Sequence, residues 1–189
     1  MPAAPKHRDA IVDAAIRLFR QNGYAATGLN EIVNASGAPK GSLYHYFPKG
    51  KASIAEAAIS EAGRRVVATI DEIAARTCST SALLREHAIL LARWMEESDF
   101  RDGCPITTAL LELAPNDRDV TAAGKMAYDT RLERLSSMLV NDGREEQSAR
   151  RLACLCISVI QGSLIQARVE RSGHPIMIAA DELARLLEA

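Results

Sequence analysis

The chain has 189 residues and a mass of 20.5 kDa, which allows one large domain or two small ones. It is 48% hydrophobic and 25% charged, a composition that excludes a disordered tail. The net charge is −1, but residues 1–51 contain seven Lys and Arg against three Asp and Glu, so we expect a polyanionic partner for this segment.

The residue types favour helices over strands. Ala, the best helix former, occurs 32 times, whereas aromatic residues make up only 4% of the chain. Apolar positions recur with a helical period almost everywhere. The sequence therefore predicts an all-α protein of nine helices.

Three helices are predicted in the first fifty residues. The first covers residues 8–21 and ends at Gly23, which suits a left-handed cap position. Thr27 is the expected N-cap of the second helix, and residues 36–38 form a tight turn. Pro39 suits the first turn of the third helix, where its missing N–H costs nothing.

Six further helices are predicted from caps, prolines and apolar period. The fourth helix covers residues 51–76, and the fifth begins at Ser79 or Thr80. The sixth runs from Pro105 to Pro115. The seventh and eighth cover residues 118–140 and 145–170, and the ninth begins at His174.

The longest apolar stretch, residues 152–160, is half of the ~20 residues needed to cross a bilayer. The N-terminal segment lacks the apolar core of a signal peptide. We therefore expect a cytoplasmic protein without a membrane partner.

Two short helices joined by a glycine-containing turn are typical of a helix-turn-helix, whose second helix enters the major groove. Leu43 and Phe47 of that helix are predicted to face inward. Donor groups then remain on its other sides, at Lys40, Ser42, Tyr44, His45 and Tyr46. Gly41 lets the backbone approach DNA. The alternative is a capped three-helix subdomain with a solvated polar face.

At these residues the sequence resembles the TetR-type bacterial transcriptional regulators. The stretch GYAATGLNEIVNASGAPKGSLYHYFPKGK is similar to their DNA-binding signature, although Gly28, Val33 and Ser36 depart from the usual pattern. The segments DGCPI at residues 102–106 and FPKGK at residues 47–51 resemble the LmrA/YxaF-type branch. Those regulators respond to lincosamide antibiotics or flavonoids.

The resemblance implies a TetR-like fold with a helix-turn-helix domain over residues 1–50 and a helical ligand-binding and dimerisation domain over residues 51–189. It implies phosphate contacts from Thr27, Tyr44, His45, Tyr46, Lys49 and Lys51, with Lys40, Gly41 and Ser42 nearest the bases. For Tyr46 the alternative is core packing beside Phe47.

The second domain is expected to contain a ligand site and a dimer interface. The candidate ligand residues are His87, Trp94, Met95, Ile106, Leu110 and Met126, with plain core as the alternative. The last two helices present the apolar excess of an interface, at Leu155, Val159, Gly162, Ser163, Leu183 and Leu186. Intramolecular core is again the alternative.

The function predicted from these observations is a homodimeric repressor that a small hydrophobic or aromatic effector releases from a palindromic operator in double-stranded DNA. The alternatives are a ligand-independent regulator and a redox sensor, because Cys104 precedes a helix N-terminus, where thiolates are favoured. Whether the effector releases or promotes DNA binding stays open. The sequence has no catalytic motif and no paired histidines, so we expect no enzyme activity, metal or cofactor.

Overall fold

The computed structural model describes residues 5–188, and this part of the chain forms nine α-helices and no strand. The helices are α1 (Pro5–Asn22), α2 (Leu29–Ser36), α3 (Lys40–Tyr46), α4 (Lys51–Ala74), α5 (Thr80–Glu97), α6 (Pro105–Leu113), α7 (Arg118–Asn141), α8 (Glu146–Glu170) and α9 (His174–Glu188). The all-α prediction is therefore confirmed.

Local signals determine several of the helix ends. Ser79 is the N-cap of α5, where its hydroxyl accepts the Ala82 N–H at 3.2 Å. Pro105 is the first residue of α6. Gly37 ends α2 at φ +63°, a left-handed conformation that glycine adopts without a steric penalty.

The start of α2 differs from the prediction. Gly28, not Thr27, is its N-cap residue, and the Gly28 N–H donates to the Glu31 carboxylate at 3.3 Å. Thr27 is fully buried, and its hydroxyl donates to the Gly23 carbonyl at 2.8 Å. The prediction was wrong because this hydroxyl bonds back toward α1 instead of forward into α2.

The helices belong to two compact units. The first unit holds the chain up to Arg64 together with Cys104–Tyr128, and the second holds Arg65–Gly103 together with the chain from Asp129 onward. The first unit thus contains α6 and the start of α7 as well as the predicted helix-turn-helix. A functional domain boundary at residue 50 stays a prediction.

Each unit has its own apolar core. In the first unit α1 packs against α2, α3 and α6, and its largest fully buried side chains are Ile11, Phe19, Ile32, Leu43, Ile54, Ile59 and Val120. In the second unit α9 packs against α5 and α8, and the corresponding side chains are Ile70, Ile73, Leu83, Leu139 and Ile176. The cores place the polar face of α3 and one apolar face of α8 and α9 at the surface.

Helix α8 is the one described helix that is long and apolar enough to cross a membrane. Length and composition alone give weak evidence, because a core helix of a soluble protein has the same properties. Its Ala149, Ala153 and Ala167 are fully buried in the core of the second unit, whereas Leu155 and Ile165 are exposed. This helix therefore has a packed face and an apolar face that is open to solvent within residues 5–188.

Candidate nucleic-acid interface and ligand cavity

Helix α3 is held against the core of the first unit by two apolar side chains and exposes polar side chains on its other side. Leu43 and Phe47, one turn apart, are 1% and 3% exposed and belong to the core of the first unit. The opposite side of α3 exposes Lys40, Tyr44 and His45. The structure therefore brings a cation, a phenol and an imidazole together on the surface of a short helix.

Two of the predicted DNA-contact side chains are not on this surface. Ser42 is 7% exposed and Thr27 is fully buried. Gly41 is exposed, and a Cβ added to it would meet no atom within 4 Å, so its backbone is open to a close approach. Of the three residues expected nearest the bases, Lys40 and Gly41 are therefore exposed and Ser42 is buried.

Tyr46 lies at the border between the core of the first unit and its surface. Its ring is partly buried against the core of the first unit, and it contacts the edge of the His45 ring at a centroid distance of 5.0 Å. It also lines an open groove with Arg8, Phe47 and Arg64. Core packing thus fixes the ring orientation beside the exposed face of α3.

Lys49 lies in the turn between α3 and α4 and is already ion-paired. Its Nζ is 2.8 Å from Asp119 Oδ2, and the two side chains are 73% and 57% exposed. The hydrogen bond and the carboxylate charge raise the pKa of Lys49, and the same bond and the ammonium charge lower the pKa of Asp119. An exposed ion pair of this kind contributes little to stability.

Lys51, expected to contact phosphate, is instead bound to the protein backbone. Its ammonium donates to the carbonyls of Tyr24 at 2.9 Å, Ala25 at 3.4 Å and Thr27 at 2.9 Å. It also lies 4.2 Å from the centre of the Tyr24 ring. An ammonium has three donors, so these carbonyls use all of them and give Lys51 a structural role.

Glu112 is a residue of this unit that the sequence predictions do not include. Its carboxylate oxygens accept the backbone N–H groups of Tyr24 at 2.7 Å and Ala25 at 2.6 Å. A Cβ added to Gly23 would lie 2.6 Å from Glu112 Oε1, and Gly23 has φ +84°. The two partners are more than eighty residues apart in sequence, so no local pattern indicates this contact.

The candidate ligand residues are divided between the two units. Ile106, Leu110 and Met126 belong to the first unit, and His87, Trp94 and Met95 belong to the second. Ile106 and Met95 are buried core, whereas Met126 is 70% and Trp94 39% exposed. Periodicity placed these residues on apolar stripes, but it does not distinguish a cavity wall from core or surface.

The second unit contains a small cavity of about 20 Å³ next to His87. It is lined by Ile70, Leu83, Leu84, His87, Arg131, Leu135, Cys156, Ile157 and Ile160. A volume of this size holds about one water molecule, far less than the roughly 300–1,000 Å³ of ligand pockets. His87 is thus the candidate ligand residue that lines a cavity in this conformation.

The polar groups of this cavity are a neutral imidazole and a cation. Burial, and then the positive charge of Arg131, lower the pKa of His87 from 6.5 to about 4. His87 is therefore neutral near pH 7 and offers one ring donor and one acceptor. Burial raises the pKa of the Cys156 thiol to about 11, so this residue lines the cavity as an uncharged group.

The candidate dimer residues divide between surface and core. Leu155 is 42% and Leu186 46% exposed, and Gly162 is also exposed, whereas Ser163 and Leu183 are each 4% exposed. Leu183 packs in the core of the second unit, and the Ser163 hydroxyl donates to the Ile160 carbonyl at 2.8 Å. Both side chains are therefore largely covered within the chain itself, and an interface role for the six candidate residues stays a prediction.

An open groove runs along the exposed face of α8 and α9. It has a volume of about 420 Å³ and is lined by Val159, Gly162, Ser163, Gln166, Glu170, His174, Pro175, Ile178 and Ala179. Exposed apolar side chains, including Ile165 at 58% and Ile178 at 49%, lie on the same two helices. We call this surface, defined by these residues with Leu155 and Leu186, the α8–α9 face.

Comparisons with known proteins agree with this arrangement. Residues 11–58 match the model of the bacterial regulatory proteins of the tetR family, and residues 80–182 match that of the transcriptional regulator LmrA/YxaF-like C-terminal domain. The chain belongs to the TetR family. It is therefore a transcriptional regulator and not an enzyme, and its second half is of the LmrA/YxaF type.

Individual TetR-family relatives are similar over nearly the full length. The uncharacterized HTH-type transcriptional regulator Rv0196 of Mycobacterium tuberculosis is 32% identical, covering 96% of this chain and 94% of the relative. The uncharacterized HTH-type transcriptional regulator YxaF of Bacillus subtilis is 28% identical, covering 95% and 94%. The crystal structure of regulatory protein TetR from Rhodobacter sphaeroides has a TM-score of 0.83 at 22% identity, covering 94% and 96%, which shows a shared fold.

Proposed function

We propose that this TetR-family regulator is a homodimeric repressor that binds a palindromic operator and is released from it by a small, mostly apolar effector. The observation that supports DNA binding is the face of α3, where Lys40, Tyr44 and His45 are exposed on a helix anchored by two buried side chains. Phosphate contacts from Tyr44, His45 and Lys49 would set the register, and Lys40 with the Gly41 backbone would contact bases.

The DNA arm of the proposal is tested by fluorescence anisotropy with the DNA upstream of the protein's own coding sequence. We expect affinity to fall with rising salt, because bound phosphates release counterions. Replacing Lys40 with Ala should reduce the preference for this DNA over a scrambled sequence. Binding that is undetectable or independent of salt would refute the proposed function.

Dimerisation is proposed for the α8–α9 face. Exposed leucine, isoleucine and valine side chains on two adjacent helices favour association with a second copy. A palindromic operator requires two recognition helices related by a two-fold axis, and a closed dimer supplies them. Arg substitutions on this face should therefore give monomers that fold normally.

The proposed effector site is the cavity beside His87. Its lining is apolar except for His87 and Arg131, which offer N–H donors. An effector that fits has an apolar ring system and an accepting group, such as a carboxylate or a phenolate. Because the present volume is about 20 Å³, the effector must bind a conformation in which the cavity is larger.

This difference in volume means that the effector selects an expanded conformation of the second unit. A ligand shifts an equilibrium only by binding one conformation better than the other. If the expanded conformation is the one that leaves DNA, the effector lowers operator affinity, and a coupling of about 1–3 kcal/mol gives a change of roughly 5- to 150-fold.

The effector arm is tested with an aromatic carboxylic acid and its methyl ester, which share the ring but not the charge. Thermal shift measures binding, and operator titration with and without each compound measures release. We expect the acid to stabilise the protein more and to weaken operator binding. An acid that stabilises the protein but leaves operator affinity unchanged would contradict release by the effector.

We infer a cytoplasmic location, because a regulator of this family acts on chromosomal DNA. The redox alternative rests on Cys104, the half-buried residue immediately before α6. None of the four cysteines, all of which lie within residues 5–188, forms a disulfide.

A further inference from the structure

The loop that leads into the helix-turn-helix, residues 23–28 between α1 and α2, has few hydrogen bonds of its own. Within it the Thr27 N–H donates to the Tyr24 carbonyl at 3.2 Å. Several of its other backbone groups bind side chains from α4 and α6. We call this segment the α1–α2 loop.

Two side chains of opposite charge bind the backbone of the α1–α2 loop, one at its N–H groups and the other at its carbonyl groups. The Glu112 carboxylate accepts the N–H groups of Tyr24 and Ala25 at 2.7 and 2.6 Å. The Lys51 ammonium donates to carbonyls of the same two residues and to that of Thr27. Tyr24 and Ala25 are therefore bound through both their N–H and their carbonyl groups.

Each of these charges lies at the electrostatically unfavourable end of its helix. Glu112 is in the last turn of α6, where the helix dipole favours cations, and Lys51 is the first residue of α4, where it favours anions. Helix stability therefore does not explain why these charged residues occupy these positions. Their hydrogen bonds to the loop explain it, because charged groups form stronger hydrogen bonds to the backbone than neutral groups form.

The loop leads directly into the DNA-binding helices. Gly28 is the N-cap residue of α2, and α2 and α3 pack against each other and against α1. A shift of the loop therefore shifts the start of α2 and, through that packing, the face of α3.

We propose that Glu112 is a positioning residue for operator binding, acting by holding the Tyr24 and Ala25 amides of the α1–α2 loop while Lys51 holds their carbonyls. This inference rests on the proposed DNA-binding function. Glu112 is not part of the exposed face of α3, so its contribution comes through the loop.

Because Glu112 is negatively charged, its replacement distinguishes an effect of charge on DNA affinity from an effect of positioning. Removing a negative charge from a DNA-binding unit normally strengthens attraction to phosphate. Loss of positioning of the α1–α2 loop instead weakens operator binding. In Glu112→Gln the side-chain amide keeps one acceptor and turns a donor toward a backbone N–H, so one of the two hydrogen bonds is lost.

The experiment measures operator affinity and local hydrogen exchange of the full chain. Glu97→Gln is the matched control, because Glu97 is an exposed glutamate in α5 that loses the same charge. For Glu112→Gln we expect about tenfold weaker operator binding, the factor for one charge-assisted hydrogen bond, with an unchanged salt dependence because no phosphate contact is removed. Exchange should become faster in the peptide that covers residues 23–28.

The possible outcomes separate this proposal from the function on which it rests. No DNA binding by the wild type would overturn the proposed function and this proposal with it. Wild-type binding together with equal or tighter binding by Glu112→Gln would overturn the positioning role alone. Weaker binding with faster exchange throughout the first unit, instead of in the loop, would show general destabilisation and would also overturn it.

Discussion

Leu183 and Leu186 lie one turn apart on α9 but have different environments, 4% and 46% exposed. Arg substitutions at these positions therefore separate folding from dimerisation. Leu186→Arg places a charge on the α8–α9 face, and Leu183→Arg places the same charge in the core of the second unit. Leu111, which is 76% exposed on α6, provides the control Leu111→Arg for an added surface charge.

The expected magnitudes follow from the cost of an unpaired buried charge. In a two-fold dimer the Leu186 substitution occurs twice. At about 3 kcal/mol per copy the dimer loses about 6 kcal/mol, which weakens association by about four orders of magnitude. For Leu183→Arg the loss of about 3–5 kcal/mol falls on the free energy of unfolding, which for a chain of this size lowers Tm by roughly 6–20 °C.

Sedimentation velocity at micromolar concentration and thermal unfolding by circular dichroism are the two assays. Leu186→Arg should be a folded monomer that binds the operator poorly, and Leu111→Arg should remain a dimer. Leu183→Arg should unfold at a much lower temperature. A dimeric Leu186→Arg would refute the α8–α9 face as the interface, and a wild-type Tm for Leu183→Arg would refute the burial argument.

Three further predictions concern titratable and charged residues. Because the pKa of His87 falls from 6.5 to about 4 on folding, the unfolded chain binds more protons between these values. Stability should therefore rise by about 3 kcal/mol as pH increases from 4 to 6.5, and His87→Leu should remove this dependence in denaturant titrations. Asp119→Asn frees Lys49 and should tighten operator binding, whereas Lys49→Ala should reduce the salt slope by about 0.9; equal affinities for the two variants would contradict the phosphate contact. Arg131→Met should abolish the preference for the aromatic acid over its ester while leaving operator affinity intact, and a retained preference would exclude Arg131 as its partner.

The local sequence determined the fold class, several helix ends and the recognition helix. Ser79 caps α5, Pro105 begins α6 and Gly37 ends α2, because caps and left-handed glycines act within four residues of their own position. Leu43 and Phe47 were predicted to face inward for the same reason, since one helical turn places both on one side. The family signature lies in this locally determined segment.

Apolar period could not predict what covers each apolar residue. Trp94, Met95 and His87 share one stripe of α5, yet the first is exposed, the second is core and the third lines a cavity. Likewise Leu183 and Leu186 differ because the core of the second unit covers one side of α9 and not the other. The period shows only that a face is apolar.

Only the tertiary structure decided the roles of the charged residues. The family resemblance implied a phosphate contact for Lys51, but the Lys51 ammonium donates to carbonyls 24 to 27 residues earlier in the chain. Glu112 showed no signal at all, since its amide partners lie 87 and 88 residues away. A charge acts on whatever the fold brings within hydrogen-bonding distance, and that neighbour is set by the packing of α1 against α6 rather than by any spacing along the chain.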